Sequence, residues 1–151
     1  MNVLRYSLWM LLILVFSTGF APEANHSDAV VGTWLSARKK NQVQVYKRGD
    51  RYFGRLVWMQ DSHDPATQRP KVDLKNPNEK LRNRPLLNLD IMTNFTFEGE
   101  NVWGNGQIYN PEDGRTYSCE LLLKDPNTLH IRGYLMGMSF LGKTSVWTRV
   151  R

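Results

Sequence analysis

The sequence predicts an all-β fold: an eight-stranded antiparallel up-and-down barrel with one long loop holding a short helical turn, preceded by a signal-peptide helix. Three observations carry this. Past residue 24 helical periodicity is hard to find, whereas short segments of alternating or continuous apolar residues recur. Several of these are joined by turn sequences of two to five residues, namely Arg48-Gly49-Asp50, Glu98-Gly99-Glu100, Asn110-Pro111-Glu112-Asp113-Gly114 and Asp125-Pro126-Asn127, which makes consecutive strands antiparallel neighbours. Eight strands in an open sheet leave two long edges of unpaired backbone, and closure into a barrel removes both. An open sandwich is the other arrangement compatible with these strands.

The N-terminal segment is read as an export signal. Arg5 precedes an uncharged apolar run over residues 8–16, followed by Ser17, Thr18 and Gly19. A membrane-spanning helix needs about 20 apolar residues, so the run is too short to anchor the chain. Residues 1–24 are assigned to the signal peptide, with cleavage after Ala21 or Ala24, and residues 28–151 to the barrel. The chain's single cysteine, Cys119, does not follow the apolar run, which rules out a lipid-modified N-terminus and any internal disulfide. A soluble periplasmic or secreted protein is expected.

Strands are predicted over 31–36, 42–47, 51–60, 90–98, 101–109, 116–124, 128–135 and 143–150. Alternation in the sixth puts Cys119 on one face with Tyr117, Leu121 and Leu123, so a buried apolar thiol is expected rather than a reactive one. In the fifth, Val102, Gly104, Gly106 and Ile108 share one face, and Trp103, Asn105, Gln107 and Tyr109 the other. The two glycines either leave room inside the barrel or let the strand bend. Residues 61–89 break the meander with four prolines and little alternation. Within them a helical turn is predicted, capped by Asn76 with Pro77 at its first position and stopped by Pro85. The apolar Leu86, Leu87 and Leu89 suit an ordered loop that crosses the barrel as rim or lid.

The formal net charge is +6. Its cations are scattered apart from Arg38, Lys39 and Lys40 and the loop run Lys80, Arg82 and Arg84, and no nucleic-acid motif is present. A solvated basic surface is therefore the ordinary reading and contact with anionic lipid the more specific one.

Val31-Gly32-Thr33-Trp34-Leu35 resembles the Gly-x-Trp signature that opens the first strand of lipocalins. Ser145-Val146-Trp147-Thr148-Arg149-Val150 resembles their last strand, whose arginine packs over that tryptophan. The chain is also similar, motif by motif in fixed order, to the bacterial family called domain of unknown function 2147. The matching segments are Val31-Gly32-Thr33-Trp34, Gly54-Arg55-Leu56-Val57-Trp58, Lys71-Val72-Asp73 with Asn76-Pro77, Leu81-Arg82-Asn83-Arg84-Pro85-Leu86-Leu87, the run from Gly106 through Asn110-Pro111-Glu112-Asp113-Gly114 to Tyr117, and Val146-Trp147-Thr148-Arg149. Where the family pattern carries Leu-Leu-Gly-Leu, this chain has Leu86-Leu87-Asn88-Leu89, without the glycine of a tight turn. The resemblance implies an exported lipocalin-like barrel of the bacterial envelope and implies no activity.

Catalytic constellations are poor. His26, His63 and His130 are scattered, and no serine or cysteine sits in a nucleophile motif, so no enzymatic activity is expected. Asp61-Ser62-His63-Asp64 offers metal-ligand types within four residues, but plain turns look the same and a site needs further ligands. No metal or other cofactor is assigned. Asn110-Pro111-Glu112-Asp113-Gly114 lacks the alternating ligands of a calcium loop and reads as a hairpin turn.

The aromatic residues either fill the barrel or line a cavity, since eight strands enclose just enough space for one small ligand. The cavity reading assigns Trp58, Trp103, Tyr109 and Tyr117 to ligand contact. Arg82 and Arg84 are added as cations at the mouth for a carboxylate or phosphate head group, the alternative being internal pairs with Asp73 or Glu79. Trp34 and Arg149 are assigned to barrel closure. The function expected is binding or carriage of a small apolar or amphipathic molecule. A filled barrel binding a protein or an anionic lipid surface through its exterior is the second expectation.

Overall fold

The structure, a computed structural model, describes residues 26–135, 137–139 and 142–151; the expected signal peptide over 1–24 lies outside the described residues. Eight antiparallel strands close into one barrel in sequence order: β1 (Gly32–Leu35), β2 (Asn41–Arg48), β3 (Arg51–Met59), β4 (Asp90–Gly99), β5 (Val102–Asn110), β6 (Arg115–Asp125), β7 (Thr128–Tyr134) and β8 (Lys143–Arg149). The seam is β1 on β8, where Trp34 pairs with Arg149 and Leu35 with Thr148. Up-and-down connectivity sends alternate connections to opposite ends. The tight β2–β3, β4–β5 and β6–β7 turns lie at one end, and the β1–β2, β3–β4, β5–β6 and β7–β8 connections at the other.

The first end is plugged. A 3-10 turn, His26–Asp28, lies under the barrel floor and is tied to it on several sides. Trp103 donates its indole N–H to the Ser27 carbonyl at 3.0 Å, the Tyr52 hydroxyl donates to Asp28 at 2.8 Å, and Lys47 pairs with Asp28 at 2.8 Å. Above the plug sits the core: Trp34, Val43, Val45, Tyr52, Met92, Phe95, Trp103, Cys119, Leu121 and Leu129 are all sealed from solvent. At about 25 cal/mol per Å² of apolar surface buried, side chains of this size carry most of the folding free energy without a disulfide.

Three bulges change the predicted facing of side chains. In β3, Val43 pairs with Leu56 but Gln42 pairs with Trp58, so Val57 is an extra residue. The phase flips there: Met59 packs inward and Trp58 turns outward. In β5, Leu121 faces Trp103 and Cys119 faces Gly106, leaving Gly104 and Asn105 opposite Glu120 alone. Asn105 takes φ 58°, and across the ladder Asn94 takes φ 63° in a matching bulge of β4. The fifth-strand expectation is therefore corrected: Trp103 shares the inner face with Gly106 and Ile108. The space at Gly106 is occupied, because the Phe95 ring lies where a β-carbon would stand.

The crossing loop over 60–89 is ordered by its own bonds. Bridges join His63 to Pro70 and Val72 to Pro85, and Leu86 and Leu89 pack on the core. The predicted helical turn is a single 3-10 turn, Glu79–Leu81, capped by Asn78 and not by Asn76. Asn76 is buried and spends its side chain elsewhere: Oδ1 accepts from the Asn78 N–H at 2.8 Å and Nδ2 donates to Asp73 at 2.8 Å. Asn88 supplies the tight turn that lacks its glycine. It takes φ 68°, a left-handed conformation asparagine tolerates, and its N–H reaches the Leu56 carbonyl at 2.7 Å.

Candidate functional site

The second end of the barrel is open. A cavity of about 820 Å³ runs from the rim toward the core, floored by Leu56, Ile91, Ile108, Ile131 and Trp147. Tyr109 and Tyr117 stand in its wall. The inward face of β7 carries Gly133 at this level, and a β-carbon there would meet only Tyr117 and Ile108, at ordinary contact distances of 3.9 and 4.0 Å. The floor is apolar because β3, β5, β7 and β8 each turn an alternate residue inward, while the bulged half of the barrel beneath is filled by Phe95 and Trp103.

The rim is charged. Arg38, Lys40, Lys71 and Lys143 stand against Asp61, Glu112 and Asp113. Arg38 is held by Glu112 at 2.6 Å, which ties the β1–β2 connection to the β5–β6 turn. Asp113 accepts from the Tyr117 hydroxyl at 2.6 Å and from the Arg115 N–H at 2.9 Å, and burial, outweighed by these bonds, leaves its carboxyl below the usual range. Lys40, Lys71 and Lys143 form no ion pair within 4 Å among the described residues, though the Asp64 carboxyl is held below its usual range by bonds from Thr67 and, to a lesser degree, by the Lys71 charge.

One buried carboxylate fastens the crossing loop to the wall. Asp73 is fully shielded from solvent and accepts four side-chain hydrogen bonds: Arg84 Nε at 3.0 Å, Arg84 Nη2 at 2.8 Å, Asn76 Nδ2 at 2.8 Å and the Tyr109 hydroxyl at 2.5 Å. Burial opposes ionisation, but the bonds from Tyr109, Asn76 and Arg84 outweigh it and hold the Asp73 carboxyl below its ordinary value. Burial and the Asp73 carboxylate together push the Tyr109 phenol up to about 12. Arg84 also lies over the Tyr109 ring, 5.8 Å from its centroid.

Of the residues assigned to ligand contact, the structure brings Tyr109 and Tyr117 into the cavity and places the other four elsewhere. Trp58 is 41% exposed on the outer wall because of the Val57 bulge. Trp103 lies at the plugged end, edge-on to Tyr52 and 5.2 Å from the Phe97 ring. Arg84 is bound to Asp73, and Arg82 donates to the Asn76 carbonyl at 2.8 Å and to Glu79 at 3.3 Å, so both guanidinium groups are engaged inside the loop. Ile108, Ile131, Trp147 and Gly133 are the cavity residues that reading omitted. Alternation along β7 and β8 points to Ile131, Gly133 and Trp147, whereas Ile108 lies on β5, whose facing the bulge at Asn105 resets.

The metal-ligand types of the 61–64 segment serve the local turn. Asp64 Oδ1 accepts from the Ala66 and Thr67 N–H groups and the Thr67 hydroxyl, and the His63 ring contacts the Ser62 hydroxyl. Among the described residues no three His, Cys, Asp or Glu side chains are placed to hold a metal ion. Asp61 stands at the rim, His63 in the loop hairpin and Asp73 in its sealed network, so the three do not share a cleft.

Trp34 and Arg149 close the plugged end: the guanidinium lies 4.2 Å from the indole centroid. The family model for an uncharacterized protein conserved in bacteria, DUF2147, matches residues 32–149, from the glycine of the Gly-x-Trp signature to this arginine. The chain belongs to the DUF2147 family. Its fold is lipocalin-like: a Helicobacter pylori protein, HP1028, described as belonging to the lipocalin family, is similar with a TM-score of 0.68 and 22% identity, over 80% of this chain and 82% of that one. No curated protein matches the chain. In this DUF2147 barrel the half-filled interior, packed at the plugged end and hollow at the mouth, is the arrangement on which small-molecule binding in general would depend.

Proposed function

We propose that this DUF2147 protein binds a small amphipathic molecule in the mouth of its barrel, outside the cytoplasm, and does no chemistry on it. The observation that carries the reading is the cavity of about 820 Å³ over an apolar floor, a size and lining suited to a small ligand. Leu56, Ile108, Ile131 and Trp147 would take the apolar part. Lys40, Lys71 and Lys143 at the rim favour an anionic head group, because none of them is locked in an ion pair within 4 Å. This assigns the head group to rim lysines in place of Arg82 and Arg84.

Export is supported by the layout of residues 1–24 alone. Native mass spectrometry of the protein recovered from its own host tests both points. A processed N-terminus after Ala21 or Ala24 together with a specific low-mass adduct is the expected result. A mature protein without adduct that also fails to take up an apolar fluorescent probe removes the binding reading, and an unprocessed chain in the cytoplasm removes export.

A further inference from the structure

The apolar residues left exposed are distributed unevenly. Eight large hydrophobic side chains are exposed among the described residues, and six of them lie at or beside the open end: Trp58, Leu74, Leu81, Leu87, Leu135 and Met138. Leu74 is the most exposed, at 69%. Val31 is the one at the plugged end, and Val146 is on the wall. The connection over 135–142, which carries Leu135 and Met138, reads Leu-Met-Gly-Met-Ser-Phe-Leu-Gly and contains no charge. A connection whose sequence holds no charged residue is unusual, since loops normally meet water.

Charge divides the same way. The four connections at the open end, 36–40, 60–89, 111–114 and 135–142, hold nine cations and six anions. Three of those cations are tied in ion pairs, Arg38 to Glu112, Arg82 to Glu79 and Arg84 to Asp73. The remaining six, Lys39, Lys40, Arg69, Lys71, Lys75 and Lys80, form no ion pair within 4 Å among the described residues, although Lys75 donates to the Glu112 carbonyl at 2.6 Å and Lys71 acts on Asp64 through its charge. At the plugged end the connecting segments carry Asp28, Asp50 and Glu100. Counted over the connections alone, cations exceed anions at the open end and not at the plugged one. Arg51 and Lys124, at strand ends beside the plug, are also outside any ion pair, so what sets the open end apart is the combination of cations in its connections with exposed apolar side chains.

We propose that the open end of the barrel docks on an anionic lipid bilayer. The free cations meet the headgroup charge, and Leu74, Leu135 and Met138 enter the interface, where exposed apolar side chains lose their contact with water. Neither part binds stably alone; together they supply the two signals that peripheral attachment requires. The surface shares Lys40 and Lys71 with the cavity rim, but none of its three apolar residues and neither Arg69 nor Lys80 lines the cavity, so it holds whether or not the cavity is filled.

The test is sedimentation of the processed protein, recovered after export, with vesicles of phosphatidylcholine alone or mixed with phosphatidylglycerol, and no cavity ligand. Binding to the mixed vesicles alone, weakening as salt is raised, is expected. The double variant Arg69→Glu/Lys80→Glu, at positions outside the cavity, should bind at least tenfold more weakly. Leu74→Asp/Leu135→Asp should do the same. Arg51→Glu/Lys124→Glu, with the same change in net charge at the plugged end, should bind within twofold of the unaltered protein. Equal binding to both vesicle types, or equal loss from either end, overturns the proposal. So does lipid-independent dimerisation through this face, which would assign it to a second copy. Brominated phosphatidylglycerol provides a readout that needs no disruptive variant. It should quench the exposed Trp58, with the quenching lost in Trp58→Phe, and unquenched fluorescence in the vesicle-bound protein overturns the docking orientation.

Discussion

Arg149 lies over the Trp34 indole, 4.2 Å from its centroid, and donates from all three of its guanidinium nitrogens: Nη2 to the Ala29 carbonyl at 2.7 Å, Nη1 to the Val31 carbonyl at 2.9 Å and Nε to the Pro126 carbonyl at 2.6 Å. One side chain therefore joins the last strand, the N-terminal plug and the β6–β7 turn. The Trp34 N–H completes the arrangement by donating to the Val30 carbonyl at 2.9 Å. Gly32 sits beneath with φ 142°, and a β-carbon there would fall on Arg149 Nη1.

Replacing Arg149 by methionine should destabilise the barrel by about 3 kcal/mol, because three carbonyls lose a charged donor and the indole loses its cover. Lysine should restore only a small part, having no planar fork. Gly32→Ala should cost at least about 2 kcal/mol through the same contact. Urea unfolding followed by tryptophan fluorescence measures all three, and an Arg149→Lys protein as stable as the unaltered one would contradict the assignment.

The Asp73 network predicts a specific response to pH. The Asp73 carboxyl is held below its ordinary value of 3.8, so the stability it contributes is full above about pH 4 and is lost as pH falls through the folded value. Tyr109 works in the opposite range. Its phenol is raised from 10.0 to about 12, so its contribution is complete below pH 10 and disappears between there and pH 12. Asp73→Asn should cost about 3 kcal/mol at neutral pH and flatten the acid limb of the stability curve. Tyr109→Phe should cost about 1.5 kcal/mol and flatten the alkaline limb. Thermal unfolding across pH 2 to 12 separates the two, and an unchanged acid limb in Asp73→Asn would refute the network's role.

Gly133→Leu should fill the cavity without harming the fold. The backbone there is ordinary β-strand, and the new β-carbon meets Tyr117 and Ile108 at 3.9 and 4.0 Å. The leucine side chain then projects into the space a ligand would use. Stability within about 1 kcal/mol of the unaltered protein, with probe uptake reduced at least tenfold, is the expected outcome in a fluorescence titration. Undiminished uptake would place the bound probe somewhere other than this cavity.

Cys119 should be inert toward thiol reagents in the folded protein. It is fully buried, and burial pushes its thiol up to about 12, so thiolate is scarce at neutral pH. Labelling should follow the global unfolding rate and accelerate in parallel with added denaturant. Fast labelling under native conditions would reveal a local opening of β6.

Much of the fold was legible in the sequence because it rests on local chemistry. Alternation and the Gly, Asn, Asp and Pro turns place each strand within about two residues of its observed bounds, and short turns leave antiparallel pairing as the one option. The contact between Trp34 and Arg149 follows from motif resemblance at the two ends of the barrel. The candidate site was less legible. Alternation carries a side chain's facing only until a bulge intervenes. Of the bulge positions Val57, Asn94 and Asn105 only the last is marked locally, by the flanking Gly104 and Gly106, whose two readings, room or a bend, alternation alone does not separate. Hence Trp58 was expected inside and Trp103 at the cavity, whereas the ladder turns one outward and sinks the other into the plugged end.

The crossing loop illustrates the same division. Its prolines, leucines and charges mark residues 61–89 as an ordered rim, yet which cations remain free depends on partners far away in the chain. Arg84 and Asp73 are eleven residues apart, and Tyr109 is thirty-six from Asp73. Only closure of the barrel brings that phenol to the carboxylate and seals the ion pair. The sequence by itself determined the strands and the antiparallel pairing across their short turns, since these depend on residue periodicity and turn chemistry over a few positions. Closure into a barrel, against an open sandwich, was decided by the β1–β8 seam. The hollow at the mouth, the filled half beneath it and the uneven division of charge along the axis were decided by tertiary structure, because each depends on which side chains meet across strands that are remote in sequence.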